Sequence, residues 1–178
     1  MIAKTIKTLA TLVALSMPCY SFADFYVGGT LGSTGWDDGN DAVSYEILGG
    51  FQFNRFLAAE IAYNDLGSFD ATILGNKYTT DIAGANYSFV ALLPLADGIN
   101  LKAKVSYFDF ELERSINDRS IFTTQENAVT YGVGLDVNTW DNLYFTLEYR
   151  FIPIEYDEFG EHYEEEADNF SVGLKFAF

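Results

Sequence analysis

The final ten residues, 169–178, read NFSVGLKFAF and decide the fold. Phe170, Val172, Leu174, Phe176 and Phe178 share one face of an extended chain; Asn169, Ser171, Gly173, Lys175 and Ala177 share the other. Strand side chains alternate with period two, so one face is wholly apolar and the other small or polar. An ordinary half-buried strand alternates in the same way. An outward Phe that carries the free carboxylate in mid-pattern is less ordinary.

The same alternation recurs back along the chain. Strands are expected at about residues 24–33, 43–53, 56–66, 79–93, 100–113, 128–138 and 143–154, with the terminal strand as the eighth. Short turns fall at 54–55, 94–98 and 139–142. Longer connections rich in Gly, Asn, Asp and Glu are expected at 34–42, 67–78, 114–125 and 155–168. Within the fifth strand the apolar set changes phase after Tyr107, to Phe108, Phe110 and Leu112. A bulge explains this, as does a strand that rises clear of a membrane. Eight strands with alternating long and short connections match a membrane barrel with short periplasmic turns and long external loops. Closure removes the unpaired edges that eight amphipathic strands otherwise expose.

Composition narrows the class. The chain has 178 residues and 49% hydrophobic content, enough for one domain. Residues 1–23 read as a secretory signal peptide: Lys4 and Lys7, an apolar core at 9–17, then Ser21-Phe22-Ala23 before Asp24. The domain proper is expected at 24–178. Cys19 is the only cysteine and lies in the leader, so no disulfide is expected. Ser16-Met17-Pro18 before it departs from a lipoprotein box. Removal of Lys4 and Lys7 leaves 8 basic against 26 acidic residues, net −18. Such a surface repels nucleic acid and attracts cations. The longest apolar run, 89–96, is broken by Pro94 and is too short for a membrane helix. An exported chain of this composition leaves two solutions, a soluble barrel or a membrane barrel.

Aromatic residues favour the second. Phe51, Phe53, Phe56, Trp140, Phe176 and Phe178 gather near the short turns, and Tyr63, Tyr107, Tyr131, Tyr149 and Phe170 nearer the long connections. Two girdles around an apolar band fit a bilayer.

The ending SVGLKFAF resembles the C-terminal signature of bacterial outer-membrane β-barrels. Residues 131–151, YGVGLDVNTWDNLYFTLEYRF, resemble the paired penultimate strands of the OmpA-like and porin-like eight-stranded family. The resemblance implies an all-β, eight-stranded antiparallel up-and-down transmembrane β-barrel in the bacterial outer membrane. It implies contact with outer-membrane lipids including lipopolysaccharide. It also implies that the row Phe170, Val172, Leu174, Phe176 and Phe178 is an assembly signal read by the outer-membrane assembly machinery. An end at Phe178 implies no periplasmic peptidoglycan-binding domain of the kind larger OmpA proteins carry.

The inward faces carry Glu46, Glu60, Asp136 and Glu148 against Lys102, Lys104, Arg150 and Lys175, four acids matching four bases. Isolated charges in so narrow a barrel are costly, and pairing removes much of the cost. A plugged lumen is expected, with a gated ion path as the alternative. Glu148 and Lys175 lie on consecutive antiparallel strands and are expected to meet. Residues 155–168, EYDEFGEHYEEEAD, form an acidic external loop with eight carboxylates: Glu155, Asp157, Glu158, Glu161, Glu164, Glu165, Glu166 and Asp168. This is a solvated, repelling surface, or a binder of cations or of host surface molecules. Its spacing does not match an EF-hand, so no metal site or cofactor is expected. His162, the only histidine, lies among carboxylates with no serine nearer in sequence than Ser171, and no catalytic residue is expected.

The reading is a non-enzymatic outer-membrane barrel with a charge-plugged lumen and a structural or surface-interaction role. The alternatives are a small porin-like ion channel and a soluble lipocalin-like carrier. Lipocalins are also eight-stranded barrels, but they place apolar residues inside.

Overall fold

A sheet with one apolar and one polar face is stable in a bilayer when it closes on itself, because closure pairs every edge and hides the polar face. The computed structural model describes residues 24–36, 41–73, 76–116, 119–158 and 161–178. Eight strands form a closed antiparallel barrel in sequence order. They are β1 (Asp24–Trp36), β2 (Asp41–Asn54), β3 (Leu57–Ile73), β4 (Asn76–Ala96), β5 (Ile99–Ile116), β6 (Arg119–Trp140), β7 (Leu143–Glu158) and β8 (Glu161–Ala177). β8 closes on β1 from Tyr26↔Ala177 to Trp36↔Ala167. The leader at 1–23, with Cys19, lies outside the described residues.

The period-two pattern sorts as the alternation requires. On β5, every residue from Leu101 to Glu111 at odd positions is exposed, and every residue from Lys102 to Leu112 at even positions is buried. Phe25, Ile47, Ile61, Phe89, Val105, Val133, Val172 and Leu174 point outward. Near the two-residue turns at 55–56, 97–98 and 141–142, aromatic rings ring the barrel. Phe25 packs on Phe51 at 4.8 Å, Phe51 on Phe53 at 5.1 Å, and Phe176 on Phe178 at 5.3 Å. Trp140 is 76% exposed beside them. Toward the other end, Tyr45, Tyr63, Tyr87, Tyr107, Tyr131, Tyr149 and Phe170 are all exposed. The apolar band therefore has an aromatic border at each end.

One expectation needs correction, and one pair of alternatives is decided. The described residues of the four long connections are strand. β3 and β4 pair as far as Ile73↔Asn76, β5 and β6 as far as Ile116↔Arg119, and β7 and β8 as far as Glu158↔Glu161. The described residues of the acidic stretch, 155–158 and 161–168, are thus paired strand and not loop. Its polar, acid-rich residues resemble a loop in composition, but the hairpin needs only backbone pairing to continue past the membrane. The decided alternative concerns β5, where the strand rising clear of the membrane fits and the bulge does not. Its register with β4 and β6 runs unbroken through Tyr107 and Phe108, so no bulge lies there. The phase change arises because Phe108, Phe110 and Leu112 turn into the barrel, while Asp109 and Glu111 face out above the tyrosines.

Candidate functional site

Barrels of eight strands have an interior just wide enough for side chains to fill it. Here two different fillings are stacked. The one nearer the turns is ionic. β2 supplies Glu46, β3 Glu60, β5 Lys102 and Lys104, β6 Asp136, β7 Glu148 and Arg150, and β8 Lys175; all eight are buried.

Glu148 sits at the centre. Its carboxylate lies 2.6 Å from Lys102 Nζ, 3.0 Å from Lys104 Nζ and 2.9 Å from the Arg150 guanidinium. Arg150 reaches on to Glu46 at 2.6 Å. Lys104 also lies 3.0 Å from Glu60 and 3.8 Å from Glu46. Lys102 turns the other way as well, donating to Thr146 Oγ1 at 2.8 Å. The Thr146 hydroxyl donates to Asp136 at 2.7 Å. Lys175 pairs with Asp136. Every acid therefore faces at least one base, and Lys102 joins the two groups. Charges removed from water are tolerable only in such complete arrangements.

Neutral partners complete the network. Asn64 donates to Glu46 at 3.0 Å, and Tyr26 Oη donates to Glu60 at 2.8 Å. Asn169 donates to Thr34 and Ser44, at 2.9 and 2.7 Å, and ties β8 to β1 and β2. The Tyr26 ring lies flat against Gly50, where any Cβ would collide with it, so this glycine is what admits the ring. Lys175 Nζ stands 5.1 Å above the same ring. Below it a cavity of about 80 Å³ opens toward the turns, lined by Asp24, Gln52, Asn100 and Tyr144 among others.

Lys175 does not pair with Glu148. Its register partner on β7 is Tyr144, whereas that of Glu148 on β8 is Ser171. The two lie four residues apart along β8, roughly 13 Å at strand rise. Sharing the inward face of adjacent strands says nothing about level. The shear of the barrel places Asp136, two strands away on β6, beside Lys175 instead.

The second filling is apolar and lies toward the hairpins. Leu66, Ile82, Phe108, Phe110, Leu112, Ala128, Ile152 and Ala167 form one buried cluster, with Phe122 packed against it. The Phe108 and Phe110 rings stack at 5.0 Å. Tyr26, Asn64, Thr146 and this cluster escape a search for charged inward residues. The phase change in β5 was the signal for the cluster, since Leu66, Ile82 and Ile152 have the inward parity of their own strands.

Of the acidic stretch, Glu166 and Asp168 are exposed. Register sets Glu155 opposite Glu164 and Glu158 opposite Glu161. Asp157 stands opposite His162, and Glu165 opposite Ile154. Among the described residues no group of carboxylates, His or Cys is arranged to hold a metal ion. In the terminal row, Phe170, Val172, Leu174, Phe176 and Phe178 are all exposed on the apolar wall.

Residues 8–178 match the model of a family described as outer membrane protein beta-barrel domain. No curated protein matches the sequence. The fold is similar to the crystal structure of Neisserial surface protein A, with 11% identity, TM-score 0.67, and coverage of 88% of this chain and 97% of that one. It is similar to Ail of Yersinia pestis in complex with the heparin analogue sucrose octasulfate, with 12% identity, TM-score 0.55, and coverage of 88% and 97%. The outer membrane protein OprG of Pseudomonas aeruginosa is similar at 9% identity and TM-score 0.54, covering 88% and 96%.

Proposed function

This chain belongs to the outer membrane protein β-barrel family and resides in the bacterial outer membrane, and we propose that it is a closed, non-enzymatic barrel whose role is structural or surface-interacting. The observation that carries the reading is the lumen. Among the described residues, an eight-charge network in which each acid meets a base is followed along the lumen by an apolar cluster, and this succession supports a closed bore. Ions that enter the cavity below Tyr26 meet first a neutralised cluster and then Phe108 and Phe110. A small porin needs a wet lumen along its whole length. The outward apolar wall and charged interior are the reverse of what a soluble lipocalin-like carrier requires.

The leader 1–23 directs export and is removed before Asp24. The row Phe170–Phe178 is read during assembly and then faces lipid. The long hairpins stand outside the cell, where the net charge of −18 left by removal of the leader sets the choice of partner. The solved Ail structure holds a heparin analogue, which is a polyanion. Here Asp109, Glu111, Glu166 and Asp168 are exposed beyond the tyrosine border. That surface repels sulfated glycans and favours cations or basic surface molecules, and its contact with lipopolysaccharide phosphates needs cations between them.

Single-channel recording of the refolded barrel in a planar bilayer tests the reading. Long quiet baselines are expected. Large, stable wild-type conductance would establish the porin alternative instead.

A further inference from the structure

Above the membrane the wall of the barrel is not continuous. β6 and β7 pair from Trp140↔Leu143 up to Tyr131↔Phe151 and no further. β7 goes on to Glu158 paired with β8, and β6 begins at Arg119 paired with β5. Residues 119–130 of β6 therefore present a long edge toward β7 that no described residue pairs with. Sequence gives the cause. Pro153 on β7 stands two residues beyond the last pair; it has no N–H for the ladder, and proline in a sheet is confined to edges. Two other upper seams also end early: β1 and β8 pair only as far as Trp36↔Ala167, where the β8 edge beyond is the acid-rich stretch from Glu161 to Glu166. β2 and β3 stop pairing at Tyr45↔Asp65, but Gly67, at φ 89°, packs its backbone against Ala42 and Val43 and covers that side.

Proteins usually blunt a free edge with Lys, Pro or a bulge turned inward. Arg119 and a register shift at Ile121 lie at the far end of this edge, but residues 122–130, FTTQENAVT, contain no Lys, Arg or Pro and stay in register with β5. Ile121, Thr123, Gln125 and Asn127 are exposed on the outer side. Beside them on β5, in register, stand Glu113 opposite Thr123, Glu111 opposite Gln125 and Asp109 opposite Asn127. We infer that the upper β6 edge is a docking site for an extended, basic segment of a partner protein, which adds as a strand. Main-chain groups supply the pairing, and alternate Lys or Arg side chains on the outer side meet the field of the β5 carboxylates. A second copy of this chain is a poor occupant, because its own net charge of −18 without the leader would face the same carboxylates.

The test uses hydrogen–deuterium exchange of the refolded barrel in detergent, read by mass spectrometry. Three ten-residue peptides are compared. One alternates lysine with valine, one alternates glutamate with valine, and one is the lysine peptide with alternate backbone amides N-methylated. In the free barrel a subset of amides in 121–130 should exchange at least tenfold faster than those of 131–137. The lysine peptide should slow that subset at least tenfold, and the other two should leave it unchanged. The double substitution Glu111→Gln and Glu113→Gln should weaken the lysine peptide at least threefold without altering exchange of the free barrel. Equal binding of the N-methylated peptide would reduce the effect to charge alone and overturn the proposal. So would uniformly slow exchange in the free barrel, failure of the lysine peptide to bind, or protection that grows with barrel concentration alone. None of these readouts depends on whether the lumen conducts.

Discussion

Near the turns, Glu148 is held within 3.0 Å by Lys102, Lys104 and Arg150; four residues farther along β5 from Lys104, roughly 13 Å by strand rise, Phe108 and Phe110 fill the same lumen with stacked rings. On the proposed reading the bore is closed twice, by opposite chemistry. The ionic closure is all-or-none in character, since each member is buried and any gap leaves a charge unmatched. The apolar closure depends on volume, and its loss scales with the cavity left behind. The membrane accounts for the division. Within the apolar band the wall faces lipid and the interior can be polar. Beyond it Asp109 and Glu111 take the outer face, so β5 turns its apolar residues inward and builds a small core.

The largest effect should come from breaking the ionic centre. Glu148→Ala leaves Lys102, Lys104 and Arg150 short of the carboxylate they share, at a cost of roughly 3–5 kcal/mol. A matching fall in the urea midpoint of the refolded barrel is the expected observation. Replacement of both Glu148 and Lys104 by alanine should cost less than the sum of the two single changes, because the pair is removed together.

Next comes the apolar side. Phe110→Ala should cost about 3 kcal/mol, the low end for such truncations, because the wall beside it is split and neighbours can close in. Ile152→Val should cost about 1 kcal/mol or less. If Glu148→Ala and Ile152→Val proved equally harmful, the contrast between the two closures would be wrong.

On the outer wall, Phe176→Asp places a charge against lipid near the turn-side border. The penalty is smaller there than at mid-bilayer, about 1 kcal/mol, but the fraction of heat-modifiable, inserted barrel should fall. Normal insertion would remove the terminal row from its assigned role in assembly.

The smallest effect is expected at the end of the β7–β8 hairpin. Glu164→Gln, Glu165→Gln and Glu166→Gln together should leave stability within about 0.5 kcal/mol of wild type. A slight gain is the expected sign, since Glu164 faces Glu155 across the hairpin and like charges directly opposite are unfavourable. Loss of folding would show that this hairpin packs on the rest of the barrel.

Much of this was legible in the sequence. The period-two alternation placed the eight strands, the short turns and the inward charges, because alternation is a local property of the chain. The partners of those charges were not. Parity assigns Lys175 and Glu148 to one face, but level depends on the shear of the closed sheet, which no local pattern encodes. Strand ends were misread for a related reason. Asp and Glu at 155–168 resemble a loop by composition, yet backbone pairing beyond the membrane is indifferent to polar side chains on both faces. The apolar closure left a visible trace, the switch at Phe108, whose meaning depended on knowing that β5 stays in register there.

The two closures lie in series, and that is the claim to test most directly. Single-channel recordings should compare wild type, Glu148→Ala, Phe108→Ala with Phe110→Ala, and the combination of all three. Wild type should be silent, each closure alone should still block steady current, and only the combined variant should conduct. Steady conductance in wild type, or full conductance on loss of one closure alone, would contradict the account.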